Sequence, residues 1–408
     1  MNRRQFLLHG VAAASLGLSW KTWAMPAPAR MAAPRLLVVM LRGAYDGASL
    51  LVPHGFPFYY AARPTIAIAR PDPANPGAAL DIGQGYGLHP AVAPSLHKFF
   101  QARQAALVPF SGSQDLSRSH FQSQDVMELG QNPNDKGGLD YASGFLNRLV
   151  GVLQQGGKKM SGMSFTASIT PVFKGSVEIP NIVLQGQVNA MTDTRQVQML
   201  ETLYQGQRMR DVVEEGIRTR QQVSAVLEKE MKEASRGAAQ ANSLEKVARS
   251  IAALMSDSSA YSIGFVDVGG WDTHVNQGAA TGALATNLAN LGNGLSGFAD
   301  ELGAEGWRNT VVVVMSEFGR TFHENGNRGT DHGHGNTMWI LGGGISGGKL
   351  AGEQTELSEK TLFQSRDLPL LNDYRSVLSH VFSRMYGLNA GQLDTVFPGS
   401  SIRDYGIV

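Results

Sequence analysis

The chain has 408 residues, with 35 lysines and arginines against 34 aspartates and glutamates, and it has no cysteine. Without cysteine there is no disulfide, no thiolate metal ligand, no Cys nucleophile and no lipid anchor through Cys. The near-zero net charge offers no basic field for nucleic acid, and the length suffices for a large α/β core with insertions.

The N-terminus opens with Asn2-Arg3-Arg4-Gln5-Phe6-Leu7, followed by an apolar stretch, Leu7–Trp20, then Lys21. Small-residue ends follow at Thr22-Trp23-Ala24 or Ala27-Pro28-Ala29. Arginine pair, apolar run and small-residue end, in that order, predict a twin-arginine signal peptide over residues 1–29. The expected partner in export is the twin-arginine translocase, and the expected location is periplasmic or secreted. The apolar stretch is too short for a good transmembrane helix and contains His9, and no later segment reaches about 18 unbroken apolar residues, so no stable membrane span is expected. Removal of residues 1–29 takes away Arg3, Arg4 and Lys21 and no acid, which leaves a net charge of about −2. That route carries folded proteins, so a metal can be loaded before transport.

The remaining chain, residues 30–408, is expected to form one domain. Arg35–Leu41, Ala105–Phe110, Tyr261–Val268, Thr310–Met315 and Thr337–Leu341 are apolar throughout rather than alternating, as in a parallel sheet covered on both faces. Helical stretches lie between them, at Pro90–Gln104, after Ser119 over Phe121–Leu129, and at Gly282–Leu302. Leu80–Leu88 and Gln131–Leu139 read as polar or glycine-rich loops. Residues 191–257 are rich in Gln, Glu, Lys, Arg, Ala and Leu, lack proline, and read as a helical insertion of two or three helices. The predicted fold is a three-layer α/β/α sandwich with a mostly parallel sheet.

Polar clusters follow these strands. Asp46 comes just after the first, within Arg42-Gly43-Ala44-Tyr45-Asp46-Gly47. Ser117-Arg118-Ser119-His120 follows the second and opens a helix, where Ser119 is either a nucleophile or an N-cap and Arg118 is placed to hold an anion. Gly269-Gly270-Trp271-Asp272-Thr273-His274 follows the third. Ser316-Glu317-Phe318-Gly319-Arg320-Thr321 and Thr330-Asp331-His332-Gly333-His334-Gly335 follow the fourth. Carboxylates and imidazoles at the ends of buried strands are costly unless they bind something, and ligands of open α/β sheets collect at strand C-termini. Asp, Glu and His are also the oxygen and nitrogen donors for divalent Zn or Mn. The candidate metal ligands are therefore Asp46, Asp272, His274, Glu317, Asp331, His332 and His334, and the candidate catalytic groups are Ser119, His120, Arg118 and Arg320. Ser95-Leu96-His97-Lys98 lacks the Lys-Thr-Gly that accompanies S-x-x-K in penicillin-binding enzymes, and Gly342–Gly347 reads as a turn rather than a dinucleotide site.

Together these motifs resemble the family called domain of unknown function 1501, over nearly the whole chain after residue 29. That family in turn resembles a branch of the alkaline phosphatase and sulfatase superfamily. The resemblance implies an alkaline-phosphatase-like fold and a two-metal site. Asp46 would match the first Asp, Ser119 the nucleophile, Asp272 and His274 the Asp and His ligands, and His334 or His332 the final His. Glu317-Phe318 falls where an Asp-His pair belongs, and Phe318 cannot bind a metal, so that position would be weakened, lost or rebuilt from His120, His323 or Asp331. The C/S-x-P-x-R context of sulfatases is missing, which argues against ordinary arylsulfatase chemistry. The function expected is a metal-dependent hydrolase of phosphate or related esters, on a small molecule or a surface polymer. The rival is a non-catalytic periplasmic binding or assembly protein on the same fold.

Overall fold

A computed structural model describes residues 34–184, 203–218, 244–256 and 261–408, apart from positions 136, 159, 168, 208 and 217. The expected signal peptide lies outside the described residues, and so does most of the expected helical insertion. Of the insertion, residues 210–216 are helical, and Leu244–Ser256 is a helix packed on the long helix Ala283–Arg308. No helix among the described residues is long and apolar enough to cross a membrane.

The fold is a mixed α/β sandwich around a mostly parallel sheet. Its strands are β1 (Arg35–Leu41), β5 (Ala105–Gly112), β6 (Gly162–Ser164), β7 (Ile263–Val268), β8 (Thr310–Ser316), β9 (Asn336–Leu341), β10 (Lys349–Leu350) and β11 (Asn372–Asp373), while β2 (Leu51–Val52), β3 (Leu80–Gly83) and β4 (Tyr86–Leu88) form a small separate sheet. The main sheet runs β10-β5-β9-β8-β1-β7-β6, with β11 on β5. β1 is parallel to both neighbours, Leu36 pairing with Ile263 on one side and Val311 on the other.

Successive side chains of a strand point to opposite faces, and β1 supplies both cores in this way. Leu37, Val39 and Leu41 enter the core under the helices Leu244–Ser256 and Ala283–Arg308. Leu36, Val38 and Met40 enter the other, under Phe145–Gln155 and Tyr374–Tyr386. A strand buried on both faces needs an unbroken apolar run, which is what its sequence shows.

Three expectations are corrected. β9 runs antiparallel between β5 and β8. Nothing in an apolar run encodes strand direction; the direction follows from the chain path, because residues 317–335 stay at one sheet edge and β9 must leave from there. Leu80–Leu88 is a tight antiparallel hairpin, not a loop, with Gln84 and Gly85 both at positive φ (58° and 78°) in the two-residue turn that suits strand twist. The Pro90–Gln104 stretch is split into the 3₁₀ turn Pro90–Val92 and the helix Leu96–Gln101, with Pro94 and a non-helical Ser95 between them. The Gly342–Gly347 segment is a turn, as expected.

Candidate metal centre

The C-terminal ends of β1, β5, β7 and β8 and the N-terminal end of β9 share one edge of the sheet. The clusters read from the sequence leave from that edge. Close backbone approaches hold them there. Gly43, at φ +112°, has a virtual Cβ only 2.7 Å from Asp272 N, and its own N–H donates to Glu317 Oε1 at 2.8 Å. Gly319 lies so near Gly335 that a Cβ would stand 1.8 Å from its carbonyl oxygen.

Three imidazoles converge on Asp272. His274 Nε2 is 2.9 Å and His332 Nε2 3.4 Å from Asp272 Oδ1, and His120 Nε2 is 3.5 Å from Oδ2. His120, Asp272 and His332 each offer one donor atom, all within 4.8 Å of one another. The opposite ring nitrogen of each histidine meets an acceptor. His120 Nδ1 is 2.8 Å from Glu317 Oε1, His274 Nδ1 is 3.1 Å from Asp331 Oδ1, and His332 Nδ1 is 2.9 Å from the Arg118 carbonyl. Carboxylates and carbonyls only accept, so each Nδ1 donates outward and each ring turns its Nε2 toward the centre.

That arrangement asks for a cation. His274 Nε2 and His332 Nε2 are 3.0 Å apart, and His120 Nε2 is buried without a hydrogen-bond partner. Ring nitrogens gathered about one carboxylate, with that of His120 buried and unpartnered, would be satisfied by a positive charge placed among them. Two imidazole nitrogens and one carboxylate, those of His120, His332 and Asp272, are a donor set for a divalent ion, zinc above all, and His274 adjoins it with Nε2 2.9 Å from Asp272 Oδ1; the other ring nitrogens are held as metal-binding histidines usually are. The residues present therefore fit a metal.

The electrostatics divide the histidines, one pushed toward its cation and one toward its neutral form. The hydrogen bond to Glu317 raises His120 above the usual imidazole range, against its burial. Burial lowers His332, helped by His120 and Arg320, and favours its neutral, ligating form. Burial pushes Asp272 and Glu317 upward, yet their partners, Arg320 for Asp272 and His120 with Gln124 for Glu317, hold both below the ordinary carboxylate range, so both are anions. Asp272 is the open side of the centre, its side chain 45% exposed.

Other expected site residues have different work. Asp46 is not in the cluster. It is fully buried and bonded to both Nη atoms of Arg63, to Ser49 Oγ at 2.7 Å and to Gln277 Nε2 at 2.7 Å, which leaves its oxygens fully used. His334 is buried against Phe363, ring centroids 5.0 Å apart, and is no part of the donor group. Glu317 and Asp331 orient histidines rather than joining that group. Arg118, expected to hold an anion, is paired with buried Asp367 through Nε and Nη2, at 3.1 and 2.6 Å. Arg320 is buried too. It donates to the carbonyls of Ala44, Gly43, Thr330 and Trp271 and to Asp272, and so ties three loops together. Phe318 stacks on His120 at 5.0 Å, and His323 faces Glu359 at the surface. Ser119 is the N-cap residue of His120–Leu129, but its side chain makes no capping bond.

Sequence reasoning missed Arg63, Gln277, Asp367, and the group Arg42, Gln124 and Glu128 behind Glu317. Arg42 bonds Gln124 Oε1, Glu128 and Asp267 at 2.7–2.8 Å, and Gln124 Nε2 donates to Glu317 at 3.0 Å. The signal for Arg42 was its place directly after β1; Arg63 and Gln277 carried none.

With this geometry in hand, the comparison with known families is decisive for membership. The family model described as "Protein of unknown function (DUF1501)" matches residues 33–397. The chain belongs to this family. No curated protein matches it. Among solved structures it is similar to a protein in the alkaline phosphatase superfamily from Vibrio parahaemolyticus, at 12% identity and a TM-score of 0.40, covering 94% of this chain and 76% of that one. It is also similar to Ps i-CgsB in complex with k-i-k-neocarrahexaose, at 9% identity and a TM-score of 0.39, covering 88% and 74%.

Proposed function

We propose that the protein is an exported hydrolase of phosphate or related esters, built on a single divalent-metal centre. The observation that carries the metal is the convergence of three Nε2 atoms on Asp272, that of His120 unpartnered, with every Nδ1 already held. His120, His274, His332 and Asp272 would bind the ion. When bound, it would supply Lewis acidity to an ester oxygen and lower the pKa of an attacking hydroxyl. A single ion is favoured over the two implied by the family resemblance, because Asp46 is committed to Arg63 and Phe318 has no donor.

The chain's own groups divide the remaining tasks. Glu317 and Asp331 fix two imidazoles, and the Arg118 carbonyl fixes the third. Arg320 keeps Asp272 ionised. Phe318 covers one face of His120. Ser119 is the proposed nucleophile, its hydroxyl left free of capping and one residue from His120. The substrate, on a small molecule or a surface polymer, would enter over the exposed side of Asp272.

Metal analysis of the purified protein should give about one zinc per chain, with hydrolysis of p-nitrophenyl phosphate that a chelator abolishes. Ser119→Ala should lose that hydrolysis and keep both metal and melting temperature, since no capping bond is removed. A metal-free, inactive wild type would reject the reading, and full turnover in Ser119→Ala would remove Ser119 and leave direct attack by water.

Export by the twin-arginine translocase is proposed from residues 1–29. Arg3→Lys with Arg4→Lys should leave unprocessed precursor in the cytoplasm. Normal periplasmic accumulation of that double variant would refute the route.

A further inference from the structure

We propose that Gln277 is a positioning residue of the centre, one buried amide that couples the loop bearing Asp272 and His274 to the loop bearing Asp331 and His332. The inference rests on the metal-centre reading above and deepens it.

Gln277 is fully buried. Its Oε1 accepts from Thr273 Oγ1 at 2.9 Å and from Thr330 Oγ1 at 3.0 Å. Thr273 lies between the two donors of the first loop, and Thr330 stands two residues before His332, the donor of the second. One oxygen atom therefore holds a hydroxyl from each. The amide's other end donates to Asp46 Oδ2 at 2.7 Å. Its orientation is fixed by chemistry, because the Asp46 carboxylate, held ionised against its burial by Arg63, can only accept. Arg63 in turn donates to the carbonyls of Thr321 and Phe322, in the loop that follows Glu317. All three site loops thus meet on one buried polar node. Backbone bonds from Asn276 and Gln277 to Asn327 and Arg328 also join the first two loops, and the side chain adds the anchor to the node.

The centre needs such a clamp. The Nε2 atoms of His274 and His332, one from each loop, stand 3.0 Å apart, so the donor group exists only while the two loops keep this register. A site that relaxes when empty must be reassembled at each binding event, which weakens affinity. A rigid amide between the threonines holds it ready.

The test uses the purified protein, zinc as the probe and competition with a chelator of known affinity. Gln277→Met, close in volume but without hydrogen bonds, should raise the zinc Kd roughly 10- to 100-fold, the usual cost of losing an outer partner of a metal site. Thr273→Val with Thr330→Val should do the same. Combining all three should add little, because the amide and the hydroxyls act as one unit. Ser379→Ala removes a buried hydroxyl that faces Ser400 Oγ, away from the node and all three loops, and it should leave zinc affinity unchanged. If Gln277→Met fails to fold, the threonine pair carries the test. An unchanged zinc Kd in the folded variants, with only the melting temperature lowered, would overturn the inference and leave the metal centre standing. Strictly additive losses would overturn it as well. A wild type that takes up no zinc would remove both readings.

Discussion

Asp272→Asn should cost the protein its metal while leaving its fold intact. Asp272 is the one anion that all three Nε2 atoms approach, from 2.9 to 3.5 Å. The change removes the negative charge that attracts the ion and places an N–H₂ donor where a donor cannot bind metal. Zinc affinity should fall by well over the roughly 10- to 100-fold expected for loss of an orienting group. Asp331→Asn provides the comparison, since it disturbs only the orientation of His274, and its loss should be the smaller. Stability without metal should change little. The Asp272 side chain is 45% exposed, so water meets the new amide, and Arg320 keeps four backbone carbonyl partners. The metal-dependent rise in melting temperature is the sharper readout. An ion at about a hundred times its Kd stabilises the folded state by about 2.7 kcal/mol, and Asp272→Asn should show none of this rise. Stoichiometric zinc in that variant would place the ion elsewhere and end the assignment.

The layout of this centre was largely legible in the sequence, because it depends on which residues stand at strand ends. The apolar run Arg35–Leu41 has the bounds of β1, and Thr310–Met315 misses only Ser316 of β8. Such runs mark the edge where their polar successors gather. His120, Asp272, His274 and His332 come together because β5, β7 and β9 deliver them to it. What a list of strand ends cannot contain is the compensation of each charge. Asp46 stands in the expected place, yet Arg63, seventeen residues on, takes both its oxygens. Arg118 and Arg320 have the right chemistry for an anion, but Asp367 and a ring of carbonyls use their donors first. Gln277 has neither charge nor motif, and its importance lies in a meeting of loops that no local pattern encodes. The direction of β9 escaped for a related reason, since periodicity reports burial and not chain path.

Those compensating pairs set the largest stability effect expected here. Arg63→Met should destabilise the fold by roughly 3–5 kcal/mol, the usual cost of removing one partner from a buried ion pair. Arg63 is completely buried, and Asp46 is 1% exposed, so no water replaces the guanidinium. Asp46 would keep Ser49 Oγ, Gln277 Nε2 and the Ala48 N–H, which satisfy hydrogen bonds but not a full charge. Adding Asp46→Leu to Arg63→Met should recover part of the loss, because an apolar pair carries no unpaired charge in the core; a double variant at the sum of the two single losses would refute the pairing. The pH dependence gives a second check. Burial pushes the Asp46 carboxyl up, but Arg63 and its hydrogen-bond partners hold it below 3.8, so in the wild type its stabilising contribution is full above 3.8 and is lost as pH falls through the depressed folded value. In Arg63→Met only the Ser49 and Gln277 hydrogen bonds still oppose burial, and the carboxyl takes its proton at higher pH than in the wild type. The deficit relative to wild type should thus be full at neutral pH and narrow as the variant's Asp46 protonates on acidification. Urea unfolding of both proteins from pH 7 to pH 4 measures it, and a deficit that stayed constant or widened toward acid would show that Asp46 is not the charge left unpaired.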